Sequence, residues 1–420
     1  MTTSQARKPV SISHQIGFTE FVVLVALMMA CQALAIDAML PSLPTIAHQL
    51  GVTDENRAQW IVLAYMAGMG VGQLFWGLLS DRFGRRAILL VGLALYVGAA
   101  LLVGLSGSFA TLLSWRFIHG IAASSAVVAR SMIRDLYEGR TMARVMSLTF
   151  IVFMMIPVVA PSIGQLVLLI APWRTLFVLF GAYGAVMWLW VWLRLPETLH
   201  PEYRMTLDAG HIRQAAIKVL TDRASICNTF AVTVIVAAIF GYVAMVQQVF
   251  ADVFHHPSIM PTMFAVCAAA MGAMSYINSR IVERIGMRIV SQVGLLMFIA
   301  LTLIHVAVAA LGYENIVTFV LLQSLTMSCV GLMVANFGTM AMEPMAAIAG
   351  IAASLQGFIG TTGAALLGAL VGRQFNGTTL PLAAGSLLLG LAAMVFVLLA
   401  ERGKLFSPHH ATGAVESMHA

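Results

Sequence analysis

The sequence predicts an all-α integral membrane protein, with twelve transmembrane helices arranged in two six-helix halves. Three observations carry that prediction. Hydrophobic residues fill 60% of the 420 positions and charged residues only 10%, against about 25% charged in an ordinary soluble chain. The apolar runs are long and nearly uncharged, each close to the ~20 residues that cross a bilayer as a helix, whereas a β-barrel would alternate over segments of ~10 residues. Lys and Arg also collect in alternate loops, as they do when loop charge sets orientation.

The predicted spans lie near residues 17–40, 58–79, 87–106, 109–131, 143–170 and 173–194, then near 224–250, 260–279, 289–311, 315–340, 346–371 and 379–400. A polar linker, 196–223, separates an N-terminal half (1–195) from a C-terminal half with a short tail (224–420), and an amphipathic surface helix is expected at 211–220. Arg7 and Lys8 precede an apolar run too long for a signal core, so the first span is expected to be its own insertion signal. With both termini cytoplasmic, nineteen of the 23 Lys and Arg fall on one side. Arg57, Arg174 and Arg373 fall on the other, and Arg116 lies inside a span. The net charge of +6 is therefore explained by orientation, and no nucleic-acid partner is expected. Cys31, Cys227, Cys267 and Cys329 sit singly within apolar runs, which suits buried small hydrophobes better than a disulfide or metal site.

Between the second and third spans stands a charged turn holding Gly77, Asp81, Arg82, Gly84, Arg85 and Arg86. Asp81, Arg82, Gly84, Arg85 and Arg86 are echoed 202 positions later by Glu283, Arg284, Gly286, Met287 and Arg288. Such an echo marks two related halves with a binding site between them. The turn is read as a gating latch in which Asp81 and Arg85 cluster with Arg134 and Asp135 below span four. Asp81 would also favour the N-terminus of span eleven near Ala346. The alternative is an inert orientation signal.

Asp37, towards the outer end of span one, is the most informative residue. A carboxylate at a helix centre costs ~2.5–3.5 kcal/mol on insertion scales and less near the interface. It is either an interfacial aspartate solvated by the outer loop or a carrier that takes and releases a proton. Arg116, at comparable depth in span four, is the candidate cation for it, or else a hydrogen-bonder to main-chain carbonyls. His119 follows on the same face, able to titrate near neutrality or to serve as a structural hydrogen-bonder. In span five, Pro157 and Pro161 free backbone carbonyls while Ala160 and Gly164 permit close packing. The result is either a passive kink or a bend that shapes contact between moving halves. Uncharged polar residues among Met and aromatics suggest a soft, adaptable pocket. Its expected lining is Gln32, Tyr65, Met66, Met69, Phe153 and Met154 from the first half, with Phe240, Met245, Gln248 and Asn336 from the second.

No phosphate-binding loop, zinc-binding helix pattern or nucleophile elbow occurs, so neither ATP-driven pumping nor an enzyme is expected. No cofactor is expected beyond protons as the coupling ion.

The stretch from Gly77 to Arg86 resembles the loop signature of the major facilitator superfamily. Ile36, Asp37, Pro41 and Pro44, then Arg116 and Gly120, then Ala160, Pro161 and Gly164 resemble its drug:proton antiporters of the Bcr/CflA type. Pro196 and Glu197 after span six, with Glu343, Pro344 and Gly350, extend the likeness over residues 17–400. His119 stands where glutamine is usual, and Gln165 where many relatives carry a glycine. The resemblance implies proton-driven export of small hydrophobic antibiotics such as phenicols or bicyclomycin, from a monomer in the bacterial inner membrane. Asp37 and Arg116 then take the acidic and basic positions of proton coupling. An uptake symporter for a small metabolite or a membrane sensor would use the same span pattern. The first would call for more intramembrane charge, the second for a larger soluble domain.

Overall fold

The computed structural model describes residues 16–52, 55–137, 139–199, 202 and 209–406. Their regular elements are all helical. The N-terminal half holds α1 (Phe18–Asp37), α2 (Leu43–Gln49), α3 (Trp60–Phe83), α4 (Arg85–Gly104), α5 (Phe109–Ala123), α6 (Val127–Leu136), α7 (Gly139–Ile170) and α8 (Arg174–Arg194). The linker contains α9 (Ala209–Thr221). The C-terminal half holds α10 (Arg223–Gln248), α11 (Met260–Ile285), α12 (Met287–Ala310), α13 (Ile316–Met342), α14 (Ala349–Gly372) and α15 (Leu380–Ala400).

Eleven stretches among the described residues are long and apolar enough to cross a membrane. The other expected span, 143–170, falls within the 32-residue α7, whose described apolar run is Val158–Ile170. Two spans each join two α-helices through a 3₁₀ turn. The first continues from α1 through a 3₁₀ turn at Leu40–Ser42 into α2, because Pro41 and Pro44 supply no N–H to an unbroken ladder. The fourth passes through a 3₁₀ turn at Ser124–Ala126, where the Ser124 hydroxyl bonds back to the Ile121 carbonyl at 2.7 Å.

The linker helix is docked. Val219 of α9 is buried in a cluster with Met345 and Ala352, at the start of α14. The two halves meet where α3 lies on α14 and α7 lies on α11.

The sequence echo is also a structural one. Gly84 links α3 to α4 with φ of 100°, and Gly286 links α11 to α12 with φ of 92°. Both sit in a region open almost only to glycine, which is why the charged turn can reverse direction between two helices without a longer loop.

Strain at such a position costs about 1–3 kcal/mol. Gly84→Ala and Gly286→Ala should therefore each lower the thermal unfolding midpoint of the detergent-purified protein. Gly98→Ala, on α4 with open space around it, should not. Equal midpoints for all three would contradict the assignment.

Candidate functional site

The N-terminal half is organised around the main chain of α1. Four side chains from four helices donate to its carbonyls. Tyr183 of α8 reaches Leu27 at 2.8 Å, Tyr96 of α4 reaches Cys31 at 3.3 Å, and Tyr65 of α3 reaches Gln32 at 3.3 Å. Arg116 of α5 reaches Ala35 at 3.2 Å. Residues 27, 31 and 35 repeat every four positions, so these grips run down one face of α1.

Arg116 is fully buried. Its Nε donates to the Ile61 carbonyl at 3.2 Å, its Nη1 lies 3.4 Å from His119 Nδ1, and its guanidinium sits 4.3 Å from the Tyr65 ring centre. The His119 ring is wedged between Tyr65 and Tyr96, with centroids at 5.2 and 4.3 Å, and its Nε2 has no hydrogen-bond partner among the described residues. The expected direct pairing of Arg116 with Asp37 is not formed. Among the described residues no hydrogen bond or ion pair joins them, because the planar fork of Arg116 is taken up by carbonyls of α1 and α3. Those carbonyls still have a free lone pair within the helix ladder.

Asp37 is nevertheless buried, as the last residue of α1, two positions beyond the carbonyl that Arg116 holds. A carboxylate in such a place costs free energy unless it is paired or protonated. Its neighbourhood is closed by α7. A Cβ on Gly164 would run into the Ala38 carbonyl, so the two backbones touch directly beside Asp37. Ala160 and Pro161 are buried in the same helix, which continues unbroken through positions 157 and 161. The tight helix contact that the sequence pattern implies thus falls at Gly164, and Gln165 is only partly buried.

Several of the expected pocket residues already have packing or hydrogen-bond partners. Tyr65 and Met66 are buried in the N-terminal half, with Met69 partly buried against the same core. The Gln32 amide donates to the Ala123 carbonyl at 3.0 Å. Phe240 packs where Gly368 leaves room, and Met245 is fully buried. Asn336 donates to Asn278 across α13 and α11 at 3.0 Å, which makes it a helix tie. Gln248 borders a cavity of about 560 Å³ at the end of the bundle opposite the charged turn, beside Leu43, Ala47, Gln59, Gln247 and Ala251. The side chains of Phe153, Met154, Pro157 and Arg134 lie outside what is described. A polar residue in an apolar run reports only that it needs a partner, and here interhelical and main-chain partners take most of them.

The charged turn forms a compact cluster. Arg85 bridges Asp81 at 2.6 Å and Asp135 at 2.9 Å, and donates to the Ser80 hydroxyl at 2.7 Å. The Glu197 carboxylate, which sequence reasoning left without a role, accepts the main-chain N–H of Arg85 at 2.8 Å and of Arg86 at 3.2 Å. It thereby caps α4, which begins with two arginines and has no side-chain cap of its own. Arg86 reaches the Trp192 carbonyl at 2.6 Å, and Arg82 lies over the Phe83 ring. Gly77 faces Ser354 on α14, and Asp81 comes within 3.7 Å of where a side chain on Gly350 would stand. The helix that Asp81 faces starts at Ala349; residues around Ala346 form a 3₁₀ turn before it.

Two six-helix halves that meet where α3 lies on α14 and α7 on α11, with buried ionisable groups and a charged cluster at one rim, define a multi-pass membrane transporter. The chain belongs to the Major Facilitator Superfamily, whose family model matches residues 25–363. It is 31% identical over 349 residues to the multidrug resistance protein MdtL of Klebsiella pneumoniae, covering 80% of this chain and 85% of that one. It is 27% identical over 369 residues to the bicyclomycin resistance protein homolog of Haemophilus influenzae, covering 86% and 91%. A crystal structure of a D-xylose-proton symporter shares the fold with a TM-score of 0.70 at 13% identity, covering 92% of this chain and 99% of the other. The chain is a transporter and not an enzyme.

Two substitutions test the geometry. Arg116→Lys keeps the charge but offers a compact ammonium where three separate contacts need a fork, so thermal stability should fall measurably; an unchanged midpoint would contradict the grip. Hydrogen bonds to charged groups are worth about 1.5–3 kcal/mol each and a helix cap about 0.5–2 kcal/mol. Arg85→Met should accordingly destabilise more than Glu197→Ala, and both more than Arg82→Met. A reversed order would remove Arg85 from the centre of the cluster.

Proposed function

We propose that the chain is a proton-coupled antiporter that exports small hydrophobic or amphipathic drug-like compounds by alternating access. It sits in the bacterial inner membrane with both termini and the Asp81 turn on the cytoplasmic side. The single observation that carries this reading is Asp37, a carboxyl buried at the end of α1 to which no cation among the described residues is bonded. The names of the MdtL and bicyclomycin-resistance relatives support the substrate class.

A proton arriving from outside neutralises Asp37 and removes the cost of holding a bare carboxylate against α7. Rocking of the halves then exposes the site to the cytoplasm, where the proton leaves and a compound binds. Arg116 acts on Asp37 through the backbone of α1 and through its field, since its donors are held elsewhere. His119 keeps the guanidinium in place. The Asp81–Arg85–Asp135 cluster holds the cytoplasmic rim in one state and releases it in the other. One elementary charge moving down 100 mV yields about 2.3 kcal/mol, and a tenfold concentration ratio requires about 1.4 kcal/mol. One proton therefore sustains more than a tenfold gradient of a neutral compound.

The test is made in inverted membrane vesicles carrying an imposed proton gradient. Adding bicyclomycin should dissipate the gradient with the parent chain, and Asp37→Asn should abolish that response. An undiminished response from Asp37→Asn would remove Asp37 from the coupling step.

A further inference from the structure

The seam between α3 and α14 is closed at three levels. Asp81 faces Gly350 at one end, Gln73 donates to the Thr361 hydroxyl at 2.9 Å midway, and side-chain amides meet at the other end. There Asn56 Nδ2 donates to the Phe375 carbonyl at 3.2 Å, Gln248 Nε2 donates to Asn56 Oδ1 at 3.0 Å, and Gln59 Nε2 donates to Gln248 Oε1. Asn56 and Gln59 lie just before α3. Gln248 is the last residue of α10, and Phe375 follows α14. Every bond in the relay therefore joins one half to the other.

The direction of the relay is set at one point. A main-chain carbonyl can only accept, so Asn56 must turn its NH₂ to Phe375 and leave its oxygen for Gln248. Gln248 then presents its own oxygen to Gln59. The relay ends on Gln59 Oε1, which is buried without a hydrogen-bond partner among the described residues and occupies the notch beside Gly372, where a Cβ would collide with it. Gln59 and Gln248 are buried, and both border the cavity of about 560 Å³. Immediately after Gln248 the chain enters a π-helical turn, Val249–Val253, a local widening common where a helix has a functional role.

We infer that the relay of Asn56, Gln248 and Gln59 is the gate that must part for the seam to open at the end opposite the charged turn. The two ends then use different chemistry. Asp81, Arg85 and Asp135 form an ionic cluster within the N-terminal half, of which Asp81 faces Gly350 of α14, whereas the relay joins the halves with neutral amides and a glycine notch and is indifferent to salt. The inference rests on the transporter reading, and on the export reading only for which side is outside.

A single cysteine, Ala365→Cys, reports on the gate. Ala365 is buried and stands two turns inside Gly372 on the same face of α14. Right-side-out vesicles receive a charged, membrane-impermeant maleimide, and labelling by the parent chain, whose four native cysteines are buried, is subtracted. Gln59→Met or Gln248→Met, added to Ala365→Cys, should speed labelling by roughly tenfold, the effect of one or two lost hydrogen bonds. The double variant should gain little more, because each single change already breaks the same relay. Gly372→Ala should also speed labelling, although it alters no relay residue, whereas Gly360→Ala, whose nearest neighbour atom is 3.9 Å from the new Cβ, should not. Raising salt from about 50 mM to about 1 M should leave the rates unchanged. Variants are compared only as monodisperse protein. Parent-like labelling in both Gln248→Met and Gly372→Ala would overturn the gate, as would an equal rise in Gly360→Ala. Acceleration seen only in inverted vesicles would keep the gate and overturn the proposed orientation.

Discussion

A guanidinium buried in an apolar bundle must have its donors answered, and the answer given to Arg116 fixes the N-terminal half. Its fork joins α5 to the carbonyls of Ala35 on α1 and Ile61 on α3, while His119 and Tyr65 close around it. Three tyrosines from other helices hold the same face of α1 higher up. The helix that carries Asp37 is thereby tied through its backbone along this face. Asp37, at the end of α1, takes no part in these ties, as the proposed exchange of its proton requires.

Asp37 and the charged turn lie in different parts of the molecule, and the tie between them is the helix framework. Gly164 brings α7 against the residue after Asp37, and α7 also packs on α11 of the other half. α3 runs from the amide relay at one end to Asp81 at the other, in contact with α14 at both ends and midway. A helix that meets the other half at both ends suits the proposed rocking, in which one end would open while the other served as a fulcrum.

Much of this was legible in the sequence for physical reasons. Span number and loop charge follow from composition, and the positions of Gly84 and Gly286 follow from a backbone conformation that few other residues adopt. The clustering of Asp81, Arg85 and Asp135 was legible because buried opposite charges seek each other. Partner choice among buried polar groups was not. Arg116 satisfies itself on carbonyls, which have no identity in sequence, and Asn336 finds Asn278 at a distance of 58 positions. Glu197 caps a helix more than a hundred positions before it. Nothing in the sequence singles out Asn56 or Gln59, and only the meeting of the halves gives them partners.

The central claim is that a compound and a proton compete through Asp37. Isothermal titration calorimetry of bicyclomycin binding to the detergent-purified protein, repeated in buffers of different ionisation enthalpy, counts the protons released per binding event. The account predicts about one proton released by the parent chain and none by Asp37→Asn. Binding without proton release by the parent chain, or equal release by both, would contradict it.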